Sequence, residues 1–329
     1  MRAIKAGRPE AHITIAAPKK IAALWKLVPE VDEIIPIPHR RLFSTVRLIR
    51  QQPGFDVAIL FPNSLRVALE VWLAGIPRRV GYRGHFRSWL LNQIVLEPAK
   101  AGPPQHQAFR YLHIAQHVGA EITGIDLSLR QKTPKAQRPT PNAYRPSSSQ
   151  LSTLNSQLLI GLCPGAEYGP AKRWLPERFA QAAKMIAEQR DVKWVLFGTR
   201  RDAEIGKKIC ETLGDSCINR IGQTTLEQLI DELRQCRLLL TNDTGTMHLA
   251  SLIGLSVVTI FGSTEPHLTG PLGGGHAILR HQVECSPCFL RECPIDFRCM
   301  KAVSVEEVVD AVSTILATST SPSRAPIRR

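Results

Sequence analysis

Two stretches of this chain combine the residue types that hold a diphosphate. The first is Cys163-Pro-Gly-Ala-Glu-Tyr-Gly-Pro-Ala-Lys-Arg-Trp174. Gly165 and Gly169 let a backbone come close to a ligand, and Lys172 and Arg173 supply positive charge for phosphate oxygens. The second is Thr241-Asn-Asp-Thr-Gly-Thr-Met-His-Leu-Ala250. Asp243, Thr244 and Gly245 fall where a helix begins, and free backbone N–H groups at a helix N-terminus attract anions. His248 lies in the first turn and can point at the same spot. Each stretch alone also reads blandly, as a Gly/Pro loop with surface cations or as an N-cap with a core histidine. The two together favour a nucleotide diphosphate.

Two further groups carry less. Asn63, Ser64 and Arg66 form one loop, and Tyr82 and Arg83 form another; both are candidates to bind an anionic group, or are ordinary turns. The series Cys285-x2-Cys288-x4-Cys293-x5-Cys299 has enough thiols for zinc or an iron–sulfur cluster. Its spacing does not match a two-knuckle zinc pattern, so the preferred reading is a reduced, packed loop, with a structural metal or a disulfide as alternatives. Cys163, Cys210, Cys217 and Cys236 read as small buried hydrophobes in a reducing compartment.

The elements that must position these residues alternate. In the first half, strands are expected at 12–16, 33–37, 56–61 and 79–82, and helices at 21–27, 42–50, 66–74 and 107–118. In the second, strands are expected at 158–163, 193–197, 219–221, 238–240 and 257–261, and helices at 177–189, 203–213, 226–235, 247–253 and 305–316. Strand–helix alternation predicts α/β architecture with parallel sheets flanked by helices. Both diphosphate stretches and both Arg-bearing loops then follow strands, where ligands bind in open sheets and where substitution spares the core. Residues 131–157 are rich in Pro, Ser, Thr, Gln and Asn and read as a linker. The domains are therefore 1–130 and 158–316, followed by a disordered tail at 317–329.

The 329 residues carry a net charge of +14. Residues 1–150 hold 22 basic and 9 acidic side chains, or +13, against 20 and 19, or +1, in the remainder. The first half should meet an anionic partner: nucleic acid, an acidic membrane face or a phosphorylated lipid. No nucleic-acid motif accompanies the charge, so nucleic acid ranks last. No apolar run reaches the ~18–20 residues that span a bilayer, and no signal-peptide stretch opens the chain, which predicts a cytoplasmic protein.

PGAEYGPAKRW and TNDTGTMHLA resemble the signature pair of the ADP-heptose:lipopolysaccharide heptosyltransferases, the type II enzymes in particular. The resemblance extends to Phe261-Gly-Ser-Thr, the Cys cluster, Phe61-Pro-Asn-Ser-Leu-Arg66 and Gly75-Ile-Pro-Arg-Arg-Val-Gly-Tyr82. It implies two facing Rossmann-like domains, the GT-B arrangement, with the sugar nucleotide held by the second. It implies that Lys172 contacts the diphosphate or departing sugar, that Asp243, Thr244, Gly245, His248 and Gly165 line the pocket, and that Glu204 reaches the ribose or adenine. Asn63, Ser64, Arg66 and Arg83 would face a phosphorylated Kdo-lipid A acceptor at the membrane surface. The implied chemistry is inverting displacement, with ADP leaving and no catalytic metal or cofactor. The alternatives are a relative using another nucleotide sugar and a non-catalytic nucleotide-binding remnant.

The family's proposed general base sits in a Gly-Asp loop after the first strand, and no residue here matches it. Residues 1–7 instead read as the end of a helix, with Gly7 as its C′ residue and Pro9 beyond. Two readings follow: a start assigned too far downstream, or a true truncation, which would remove the opening strand of the first domain and leave a strand-wide gap in its sheet.

Overall fold

The computed structural model describes residues 1–38, 41–84, 86–97, 105–123 and 157–318. The chain divides into two compact units, Met1–Ile125 and Asp126–Arg329. The expected linker, apart from Gln157, and the expected tail beyond Thr318 lie outside the described residues.

Among the described residues, unit 1 contains five parallel-paired strands in two separate sheets. β1 (Thr14–Pro18) pairs β2 (Glu33–Ile37), and β3 (Val57–Leu60) pairs β4 (Arg78–Tyr82), which pairs β5 (Gln93–Val95). Among the described residues no ladder joins the two sheets. They are bridged by side chains: Ile15 of β1 and Ile59 of β3 pack on a small cluster of Ile4, Ile13 and Ala115. Ile4 comes from α1 (Arg2–Gly7) and Ala115 from α5 (Ala108–Gln116). Gly7 is not the expected C′ residue but the last residue of α1. A Cβ there would meet the Gly119 carbonyl at 2.0 Å, so glycine is required by close backbone approach. The helix expected at 21–27 is α2 (Lys19–Ala22) running into a 3-10 stretch, Ala23–Leu27.

α3 (Leu42–Arg50) and α4 (Leu65–Leu73) follow β2 and β3 and pack on each other. α4 turns Ala68 and Val71 toward Leu60, Leu90 and Leu91.

Unit 2 is one six-stranded parallel sheet. Its strands are β6 (Leu158–Cys163), β7 (Val192–Leu196), β8 (Cys217–Asn219), β9 (Leu238–Asn242), β10 (Ser256–Ile260) and β11 (Ala277–Leu279). Their order across the sheet is β11-β10-β9-β6-β7-β8. The chain starts at β6, steps outward to β8, crosses back to β9 and steps outward the other way. β6 and β9 therefore flank the point where strand order reverses, where open α/β sheets hold ligands. Both strands are apolar and almost wholly buried, as expected of a sheet covered on both faces. The covering helices are α6 (Pro176–Gln189), α7 (Ala203–Leu213), α8 (Leu226–Leu233), α9 (Gly245–Leu252) and α12 (Val305–Thr318), with two short turns, α10 (Pro266–Thr269) and α11 (Arg298–Lys301).

Cys210 of α7 and Cys217 of β8, expected as separate thiols, are joined in a disulfide with Cα atoms 5.3 Å apart. Among the described residues no helix is long and apolar enough to cross a membrane.

Candidate donor site at the switch point of the second sheet

The loop after β6 and the loop after β9 are tied by one side chain. Asn242, fully buried, accepts from the Trp174 backbone N–H at 2.9 Å and donates to the carbonyls of Pro164 at 2.8 Å and Gly165 at 3.3 Å. The Trp174 ring, also fully buried, donates from Nε1 to the Val303 carbonyl at 3.2 Å. Asn242 stands inside the second motif, yet its position in sequence gives no sign of this partner set.

The same junction brings Lys172 and Asp243 together. Lys172 Nζ is 2.5 Å from Asp243 Oδ2, with side-chain exposures of 14% and 4%. Thr264, on the loop after β10, donates to the same oxygen at 2.7 Å. The Lys172 ammonium also lies 5.1 Å from the centre of the Tyr168 ring, within cation–π range. An ammonium has three donors, so one can hold Asp243 while the others address phosphate oxygens.

Thr244 caps α9, its hydroxyl accepting from the Met247 N–H at 3.3 Å. Gly245 opens the helix and is exposed; a Cβ there would meet nothing within 4 Å. The chain's own packing therefore does not demand glycine at this point. His248 is exposed one turn further on. The capping threonine, the helix N-terminus and the Lys172–Asp243 pair thus share one loop cluster, whose dipoles and positioned cation have the chemistry that an anionic group such as a diphosphate requires.

Gly165 sits against a residue that the sequence did not single out. A Cβ at Gly165 would meet Asp202 Oδ1 at 2.4 Å. Asp202 is buried, accepts from the Thr199 N–H and hydroxyl at 2.9 Å each, and lies 3.7 Å from Arg173 Nη2. Glu204 is on the exposed first turn of α7, two residues beyond this buried carboxylate. Asp202, rather than Glu204, is the acid packed against the β6 loop.

The cysteine segment braces this site. The Arg291 carbonyl accepts from Ala171 N–H at 3.0 Å, and Arg291 Nε donates to the Tyr168 carbonyl at 2.8 Å. Tyr168 Oη donates to the Phe289 carbonyl at 2.8 Å, and the Phe289 N–H donates to the Ser263 carbonyl at 2.8 Å. Cys285, Cys288, Cys293 and Cys299 are all free, and among the described residues no three metal-ligating side chains are placed to share an ion. Burial, then the backbone and neighbouring thiols, perturb Cys299, with the net effect of raising its pKa. Burial likewise pushes the Cys163 thiol at the end of β6 up, the direction of a packed structural cysteine.

In unit 1 one of the expected acceptor residues, Asn63, is held by an arginine that sequence reasoning missed. Arg87 is fully buried; it donates to Asn63 Oδ1 at 2.9 Å, to the Tyr82 carbonyl through Nε and Nη2, and to the Pro62 carbonyl. Desolvation pulls its pKa below the ordinary arginine value. Asn63 is thereby fixed. Arg66 is paired with Glu70 at 2.7 Å, one turn along α4, and Ser64 precedes the helix without a capping bond. Tyr82 turns inward, its hydroxyl donating to the Arg110 carbonyl at 2.9 Å, while Arg83 is exposed.

The sequence profile of glycosyltransferase family 9 (heptosyltransferase) matches residues 43–297, more than half of the chain. The chain belongs to glycosyltransferase family 9. Among its family 9 relatives, lipopolysaccharide heptosyltransferase 2 of Escherichia coli K12 is 33% identical over 293 residues, covering 85% of this chain and 82% of the relative. Lipooligosaccharide heptosyltransferase 2 of Haemophilus influenzae is 31% identical over 290 residues, covering 84% and 82%. The solved structure of E. coli ADP-heptose lps heptosyltransferase II superposes with a TM-score of 0.76 at 27% identity, covering 97% of this chain and 94% of that one. E. coli heptosyltransferase WaaC with ADP superposes with a TM-score of 0.66 at 15% identity, covering 95% and 93%, a likeness of fold. The expected fold class, α/β with parallel sheets flanked by helices, is the one observed.

Proposed function

We propose that this family 9 chain transfers heptose from ADP-L-glycero-D-manno-heptose to the inner core of lipopolysaccharide. The observation that carries the reading is the junction of the β6 and β9 loops, where Asn242 holds together a helix N-terminus and the buried Lys172–Asp243 pair. The relatives' names, heptosyltransferase 2 and ADP-heptose lps heptosyltransferase II, supply the sugar and acceptor class.

In this reading Asp243 and Thr264 fix the Lys172 ammonium, which neutralises charge growing on the departing diphosphate. The N–H groups at the start of α9 take further phosphate oxygens. Fixed donors of this kind act without reorganising during the reaction, so they lower the barrier and not merely KM. The acceptor hydroxyl attacks the anomeric carbon from the opposite side, and the linkage inverts. No described side chain is assigned as the base. The acceptor is lipid-anchored and phosphorylated, so the basic unit 1 works at the cytoplasmic membrane face.

The test is transfer of labelled heptose from ADP-heptose to purified Kdo-lipid A carrying one heptose, with UDP-glucose and GDP-mannose as competing donors. Transfer from ADP-heptose alone is expected. Preferential use of another donor, or tight ADP binding with no transfer to any inner-core acceptor, removes the proposal.

A further inference from the structure

Unit 1 exposes several large apolar side chains on α3, on α4 and in the turn after β4. Trp72 of α4 is 45% exposed and Trp89, in the 3-10 turn Ser88–Leu90, is 67% exposed; their rings meet edge to face with centroids 6.3 Å apart. Phe86, beside that turn, is 91% exposed, and its backbone holds a left-handed φ of 54°. Non-glycine residues rarely adopt that conformation. Here the next residue, Arg87, is locked into the interior by its carbonyl partners, and Phe86 is left pointing outward. Leu65, seven residues before Trp72 on α4, is exposed, and so is Phe43 on α3.

The charges around these side chains have one sign. α4 contains a single basic and a single acidic residue, Arg66 and Glu70, and they neutralise each other. α3 contains no acid at all, while Arg41, Arg47 and Arg50 are exposed on or beside it. Arg50 reaches across to the Leu73 carbonyl at 2.6 Å, which places this cation at the end of α4 next to Trp72. Indole rings flanked by arginines, with no exposed acid on either helix, fit the boundary between anionic headgroups and acyl chains.

We infer that the α3–α4 surface, with Trp72, Trp89 and Phe86 at its tip and Arg41, Arg47 and Arg50 along its side, docks on a bilayer rich in anionic lipid. The rings enter the headgroup boundary and the arginines meet phosphates. The inference rests on the lipid-anchored acceptor proposed above for its purpose, but its test does not, because vesicle binding requires no sugar transfer.

The experiment uses the full chain and sonicated vesicles of phosphatidylglycerol mixed with phosphatidylcholine, against phosphatidylcholine alone, read by cosedimentation and tryptophan emission. Trp174 and Trp194 are fully buried and Trp25 is half-buried, so the part of a vesicle-induced blue shift that the Trp72→Ser/Trp89→Ser chain loses reports on the exposed indoles. Binding to the anionic vesicles with a blue shift is expected. The Trp72→Ser/Trp89→Ser chain should lose at least about tenfold in partitioning and most of the shift. Phe86→Ser, at a position too exposed to affect folding, should lose a smaller part. Arg41→Glu/Arg47→Glu should weaken binding at low salt, and the difference should shrink at high salt. Transfer to a delipidated, water-soluble acceptor should be the same for the Trp72→Ser/Trp89→Ser and parent chains. Vesicle binding by a chain that transfers no sugar would support the surface and remove the proposed function. The inference is overturned if the parent ignores anionic vesicles or if the ring variants bind like the parent. It is also overturned if those variants convert a parent dimer to monomer with unchanged vesicle binding, which would assign the face to a second copy.

Discussion

At the scale of single residues the donor site depends on an ion pair taken almost wholly out of water. Sequence position alone suggested that Lys172 and Asp243, both on loops after strands, tolerate replacement. Their burial says otherwise. Removing one partner of a buried pair leaves an uncompensated charge, at about 3–5 kcal/mol, whereas replacing both with uncharged groups is often near neutral. Asp243 is 4% exposed beside Lys172, and Lys172→Ala leaves it with the Thr264 hydroxyl and no cation. We expect Lys172→Ala to lower the stability of unit 2 by about 3 kcal/mol or more, and Lys172→Met/Asp243→Asn to regain most of it. Both should lose transfer activity by at least about a hundredfold, because neither offers a fixed cation to the diphosphate. Urea unfolding followed through the buried Trp174 and Trp194, beside rate measurements, separates the two effects. A Lys172→Ala unfolding curve that overlays the parent's would show that the pair does not link the loops.

At the scale of elements, the strands of unit 2 were legible because their signal is local. β6 is an apolar run and β9 opens with three leucines, Leu238–Leu240, each followed by a Gly- or Thr-bearing loop, and both register as strands without reference to the rest of the chain. β5 and β11 were not legible. Each has three residues, and their place in a sheet comes from the neighbour they pair with rather than from their own pattern. The site divides the same way. Lys172, Asp243, Thr244 and Thr264 stand in motifs, whereas Asp202 and Arg87 matter through partners distant in sequence or through burial, which no spacing rule encodes.

One edge contact of this kind has a pH consequence. His276, just before β11, accepts from the Val257 N–H through Nδ1 at 3.2 Å and lies 3.1 Å from the Leu272 carbonyl through Nε2. The first bond makes Nδ1 the unprotonated nitrogen, so Nε2 carries the hydrogen and donates. Burial, opposed by the Leu272 contact, lowers the pKa below 6.5. The unfolded chain therefore takes up a proton near pH 6.5 that the native ring refuses. Stability is unaffected above that value, falls as pH drops below it, and levels off only below the depressed native pKa. A His276→Gln chain can keep one acceptor and one donor without titrating. Its stability should fall less steeply than the parent's between pH 6.5 and 5 in parallel denaturant titrations; equal slopes would dismiss His276 as the source.

At the scale of the whole molecule the two units differ in how their cores are built. Unit 2 gathers its buried residues into one large cluster that runs from β6 and β7 through α6 and α7 to α12, with Trp174, Phe179 and Trp194 at full burial. Unit 1 distributes its described core among small clusters, and its five described strands form a two-stranded and a three-stranded sheet with no ladder between them among the described residues. A two-stranded sheet has only edge strands, and small clusters share fewer apolar contacts, so local opening costs less there. Hydrogen exchange under native conditions should therefore be graded rather than uniform. Amides of β6, β9 and β10 should exchange slowest, and those of β1 and β2 fastest, by roughly two to three orders of magnitude in protection factor. Denaturant should likewise change the environment of Trp72 and Trp89 before that of Trp174 and Trp194, giving two transitions rather than one. ADP should raise protection in β6, β9 and α9 and leave β1 and β2 unchanged, since a ligand stabilises the unit that binds it. Exchange that is equally slow across β1–β5 and the central strands of unit 2, with a single unfolding transition, would mean that the two sheets of unit 1 act as one cooperative core despite their missing ladder.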